Sequence, residues 1–131
     1  MFGQTKAFSG YSVDDLRKAQ QFYGETLGIE VSQEQEMPVL HLHIHGGYEV
    51  ILYEKPNHEP ATFTVLNFPV RNIEEVVKTL KSKGVKFESY DWPGFKTDPD
   101  DIMRGNGPTI AWFTDPAGNI LSVIETENNH P

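Results

Sequence analysis

At 131 residues, 37% of them hydrophobic, the chain is long enough to enclose the core of one domain without staples. Cysteine is absent, which excludes disulfides, thiolate metal sites and cysteine nucleophiles. Nineteen acidic against 11 basic residues give a formal net charge of −8, which argues against nucleic acid and anionic membrane as partners, because both require a cationic face.

Residues 6–13, KAFSGYSV, alternate in polarity and suit a strand. In DDLRKAQQFYGETLG, 14–28, Leu16, Ala19, Phe22 or Tyr23, and Leu27 recur at helical spacing. Asp14 or Asp15 supplies the N-cap and Gly28 the stop. IEVSQEQ (29–35), PVLHLHIH (38–45) and YEVILYE (48–54) read as three strands, the last two joined across Gly46-Gly47. EKPNHEP, 54–60, is a polar connector bracketed by prolines.

The pattern then begins again. TFTVLNFPV (62–70) is a strand, and NIEEVVKTLKSKG (72–84) is a helix with Ile73, Val76, Val77 and Leu80 facing inward. Asn72 and Glu75 stand at capping-box spacing, and Gly84 closes the helix. VKFESY (85–90) reads as a strand. After a long connection, 91–108, TIAWFT and NILSVIE form a hairpin across DPAG.

This is an internal repeat: Val13-Asp14-Asp15-Leu16 corresponds to Val70-Arg71-Asn72-Ile73, and YEVILYE to NILSVIE. The expected class is α+β, a single domain over 1–131 made of two tandem βαβββ modules, 5–55 and 61–127, with a linker at 55–60. One module covers one face of its sheet with a helix and leaves the other bare. Two modules can curl their bare faces around a shared cavity. No apolar run approaches the roughly 18 residues of a membrane span. The N-terminus lacks a signal-peptide pattern, and a cytoplasmic location is expected.

YSVDDLRKAQQFYGETLGIEV resembles the opening of a vicinal oxygen chelate module, and FTDPAGNILSVIE resembles its closing hairpin. That superfamily includes glyoxalase I, extradiol dioxygenases, fosfomycin-resistance transferases and bleomycin-resistance proteins. The resemblance implies paired βαβββ modules around a ligand cavity, and a homodimer. It also implies metal ligands of His, Glu or Gln type from the first and last strands of each module. Carried over residue by residue, those positions fall on Phe8, Ile51, Val65 and Ser122. Such a set cannot assemble a divalent-metal site, so neither metal nor cofactor is expected. A shift of two residues along the same face adds only Glu49 as a plausible ligand.

The segment VLHLHIHGGYE, 39–49, places His41, His43 and His45 in alternation with Leu42 and Ile44. A metal site, a polar ligand-binding wall and a plain exposed strand face all fit this pattern. The histidines share a face with Glu49, Ile51 and Tyr53 only if the turn after them has an odd residue count. Part of a cupin ligand pattern, His43-x-His45-x3-Glu49, is present, but the cupin glycines are missing. Asn67 should face the cavity if Leu66, Phe68 and Val70 face the helix. By the resemblance Ile110 and Trp112 line the cavity. The 91–108 connection carries Trp92, Phe95 and Met103 and can act as a lid. No Gly-x-Ser-x-Gly elbow or Ser-x-x-Lys motif occurs.

The expected ligand-binding set is therefore Phe8, His41, His43, Glu49, Tyr53, Asn67, Trp92, Ile110, Trp112 and Ser122. The expected partner is a small organic molecule, in the manner of drug sequestration. The alternative is a glyoxalase-like lyase or isomerase with a displaced metal site at His41, His43, His45 and Glu49.

Overall fold

The computed structural model describes residues 1–105 and 107–126; the expected end of the second module, residue 127, lies outside them. The chain divides into two compact units, Met1–Glu59 and Pro60–Pro131.

In the first unit β1 (Ser9–Val13) leads to α1 (Leu16–Gln20), followed by β2 (Glu30–Gln33), β3 (Val39–Ile44) and β4 (Tyr48–Glu54). The sheet order is β1-β4-β3-β2, with β1 parallel to β4 and the other pairs antiparallel. Asp15 caps α1, its carboxylate accepting from Lys18 N. Regular α geometry ends at Gln20, and Gln21–Thr26 continues as a wider π-helical turn. Two features lie in that wide turn: Gly24, a weak helix former, and Tyr23, fully buried with its hydroxyl 2.7 Å from that of Tyr11. Val13, Leu16, Ala19 and Tyr23 pack with Leu40, Leu42, Val50 and Leu52 as the core of this unit.

The turn after β3 has three residues, His45-Gly46-Gly47, and both glycines take positive φ (85° and 81°), where a side chain would be strained. Its odd length pairs Leu42 with Val50 and Leu40 with Leu52 under the helix. It also pairs His43 with Glu49 and His41 with Ile51 on the opposite face. The odd-turn expectation holds for His41 and His43. His45 is different: it belongs to the turn and is exposed.

In the second unit the elements are β5 (Thr64–Val70), α2 (Ile73–Ser82), β6 (Asp91–Trp92), β7 (Phe95–Lys96), β8 (Ile102–Met103), β9 (Ile110–Thr114) and β10 (Ile120–Glu125). The main sheet runs β5-β10-β9-β8, and β6-β7 is a separate hairpin. Ile73, Val77 and Leu80 of α2 are buried, as are Ala111, Phe113, Leu121 and Val123 of the sheet.

The strand expected over 85–90 does not form as one element. Phe87 makes a single bridge to Phe113, supported by Glu88 N to Trp112 O at 2.8 Å and Thr114 N to Lys86 O at 3.2 Å. The chain then leaves β9, and Ile102–Met103 return to pair with Ala111 and Ile110. One edge of β9 is thus covered by two short pieces, between which the β6-β7 hairpin is inserted. Alternating VKFESY supplies the bridge. The apolar pair Ile102-Met103, both buried, takes over where it departs.

Both units use the same closing device. Glu54, at the end of β4, accepts from Leu16 N at 2.9 Å, and Glu125, at the end of β10, accepts from Ile73 N at 3.0 Å. Each carboxylate satisfies a first-turn amide that the helix itself cannot. The repeated final glutamate of YEVILYE and NILSVIE therefore has a stated job.

Candidate functional site

Each sheet has one face under its helix and one face without. In the first unit the helix-free face carries His41 and His43 from β3, Glu49, Ile51 and Tyr53 from β4, and Phe8 just before β1. Phe8 is 66% exposed. Gly10 lies on the same face, and a Cβ there would meet the Ile51 side chain at 2.7 Å, so glycine is what lets Ile51 lie across β1.

His41 is gripped on both sides. Its Nε2 donates to Glu34 Oε1 at 2.6 Å and its Nδ1 donates to Glu49 Oε1. A ring donating through both nitrogens is an imidazolium, and the hydrogen bonds to Glu49 and then Glu34 hold its pKa above the usual histidine value against the opposing cost of burial. The His43 ring stacks on it at 6.3 Å, and His43 Nε2 is hydrogen-bonded to the Ser32 hydroxyl at 2.7 Å. Glu34, at the end of the second predicted strand, was not foreseen as a partner. Its proximity depends on the loop that returns the chain into β3, where Glu34 N bonds Val39 O at 2.9 Å.

In the second unit the register aligns Asn67 of β5 with Ser122 of β10, and Ser122 with Trp112 of β9. All three lie on the helix-free face, since the alternate residues Phe113, Leu121 and Val123 are buried in the core under α2. Ser122 is fully buried and its hydroxyl donates to Asn67 Oδ1. Ile110 and Met103, nearly buried, continue the same face as a neighbouring pair.

Trp112 also belongs to a cluster of four aromatic rings, reached through Tyr90 and Phe95. Tyr90 meets it edge-on at 5.4 Å, Phe95 lies 5.4 Å away at 34°, and Trp92 stacks on Phe95 at 5.6 Å and 29°. The hairpin that carries them turns through Trp92-Pro93-Gly94-Phe95, with Gly94 at φ 75° as a type II turn requires. It is closed by Thr97, whose N and Oγ1 both bond Tyr90 O while Tyr90 N bonds Thr97 Oγ1. Burial, and then the charge of Glu88, push the Tyr90 phenol above its usual range, so it stays neutral. Each ring pair adds about 0.5–1.5 kcal/mol beyond burial. Trp92 nonetheless remains 61% exposed, leaving an indole face uncovered.

The described residues of the 91–108 connection fall into two parts. Its hairpin stacks on Trp112, but its later part is fastened to its own unit. Asp98 accepts from Asp100 N, Ile102 N and Arg104 Nε, while Lys81 of α2 holds Asp101 at 3.0 Å. Asp98 is thus occupied by backbone amides and Arg104, and Asp101 by Lys81 and Ser89. Tyr90 was missed as a site residue because it reads as a strand position. The Pro93-Gly94 pair between aromatics was the available signal for the hairpin.

The metal ligands expected of the wider fold do not fit this chain. Phe8, Ile51 and Val65 offer no donor atom, and the Ser122 hydroxyl is spent on Asn67. Of the displaced set, His41 is bonded to Glu49 and also to Glu34, and His45 lies in the turn. Among the described residues, no three His, Cys, Asp or Glu side chains group as a metal site.

The model of the Glyoxalase/Bleomycin resistance protein/Dioxygenase superfamily matches residues 7–123. Among solved structures, a member of that superfamily from Sphaerobacter thermophilus DSM 20745 is 26% identical, with 92% of this chain and 97% of that chain covered and a TM-score of 0.64. TnmS3, an antibiotic binding protein from Streptomyces sp. CB03234, is 21% identical over 93% and 97% of the two chains, at a TM-score of 0.67. The fosfomycin resistance protein FosX from Listeria monocytogenes is 17% identical over 92% and 91%, at 0.66. No curated protein matches. Among the described residues no helix is long and apolar enough to cross a membrane.

Proposed function

The chain belongs to the Glyoxalase/Bleomycin resistance protein/Dioxygenase superfamily, and on that footing we propose that it binds an aromatic organic small molecule without a metal ion. The observation that carries this reading is the ring cluster of Tyr90, Trp92, Phe95 and Trp112 beside the sheet face of the second unit. An exposed indole already stacked on a second ring offers a ready surface for a third. In this reading Trp92 and Trp112 supply ring contacts, Ile110 an apolar floor, and Asn67 with Ser122 the polar contact. Phe8, His41, His43, Glu49 and Tyr53 are proposed as ligand contacts of the first unit's own helix-free face.

The outcome of binding is sequestration rather than turnover. This reading is supported by one neighbour of the same fold, which is an antibiotic binding protein. We further propose a cytoplasmic homodimer, which sedimentation of the purified chain tests.

Both tryptophans of the chain lie in the ring cluster, so intrinsic fluorescence reports on the site directly. Titration with a panel of polycyclic aromatic drugs is expected to give saturable quenching that survives chelation by EDTA. Trp92→Ala should weaken it about three- to tenfold, the worth of one ring contact. Absence of saturable quenching across the panel, or binding lost on chelation, contradicts the proposal.

A further inference from the structure

The row Asn67–Ser122–Trp112 crosses three adjacent strands on one face, and from it we infer that the ligand is an aromatic compound bearing an acceptor oxygen, which Asn67 Nδ2 receives. The inference rests on the aromatic-wall reading above and adds a polar anchor to it. Ser122 is fully buried, and its one proton goes to Asn67 Oδ1. A flipped amide would leave that buried hydroxyl proton without an acceptor, so the bond fixes which end of Asn67 faces outward. The end left over is Nδ2, on an exposed residue, and it has no partner among the described residues.

Asn67 and Trp112 are two strand spacings apart, roughly 10 Å between backbones and less between side-chain tips. A fused two- or three-ring system lying on Trp112 spans that gap with a ring oxygen at the amide. Ser122, through its bond to Asn67 Oδ1, orients a hydrogen-bond donor on this face. Asn67 thus sets specificity, and the rings set affinity.

Fluorenone and fluorene differ by one carbonyl, and equilibrium dialysis of each against the full chain tests the inference. The wild type is expected to hold fluorenone about fivefold more tightly, the worth of one net hydrogen bond. Asn67→Leu should erase that preference, so that the variant holds the two compounds equally. Asn67→Asp should reverse it, since a carboxylate repels a carbonyl oxygen. Equal binding of the two compounds by the wild type, or a preference that persists in Asn67→Leu, overturns the inference and leaves the aromatic wall standing. If neither compound binds, both fall together.

Discussion

His41 is held as an imidazolium by Glu49 and Glu34, and this gives the first unit a pH signature. The folded-state pKa is raised above the ordinary 6.5. The stability this residue contributes is therefore fully present below about pH 6.5, the unfolded value, and is lost as pH rises through the folded value. His41→Ala is expected to unfold at lower denaturant than wild type at pH 6, with the gap narrowing by pH 9. Urea titrations across that range check it, and a gap that widened with pH would mean the ring is held neutral. Those imidazoles were legible from the alternation in HLHIH, because strand parity fixes a face. Glu34 was not, because a loop closure brings it to the ring.

At the scale of elements the closing glutamates and the DPAGN turn carry the clearest consequences. Glu125, beside Val70 at the end of β5, serves the first amide of α2. Glu125→Ala should cost about 1 kcal/mol, the loss of one charged acceptor at a helix start. In the turn, Asp115 Oδ1 accepts from Ala117 N at 2.9 Å and Asn119 N at 2.8 Å, and Oδ2 accepts from Asn119 Nδ2 at 3.1 Å. Gly118 takes φ 84°, and Asp115 is nearly buried. Asp115→Ala should therefore lower unfolding free energy by about 2–3 kcal/mol, read from denaturant midpoints; a loss under half of that would mean water replaces the carboxylate. This turn was readable from sequence because each of its residues has one local task. The 85–90 segment was not, because a short alternating run does not say how long it stays paired, and Ile102-Met103 competes for the same edge.

The whole chain is legible as a duplication because helix starts, helix stops and closing strands recur in order, and each recurrence has a physical cause. The aromatic cluster was only half legible. Trp112 and Ser122 follow from strand register, whereas Tyr90 and Phe95 join them through a hairpin whose landing place no local pattern encodes. The central claim is that these rings form the ligand site. The most direct measurement is the NMR signal of the two indole N–H groups, followed while an aromatic drug that quenches the fluorescence is added. The account predicts that both indole signals move together and saturate, and that Trp92→Ala weakens the response of the Trp112 signal that remains. Saturable binding that leaves both indole signals in place would put the ligand elsewhere and contradict it.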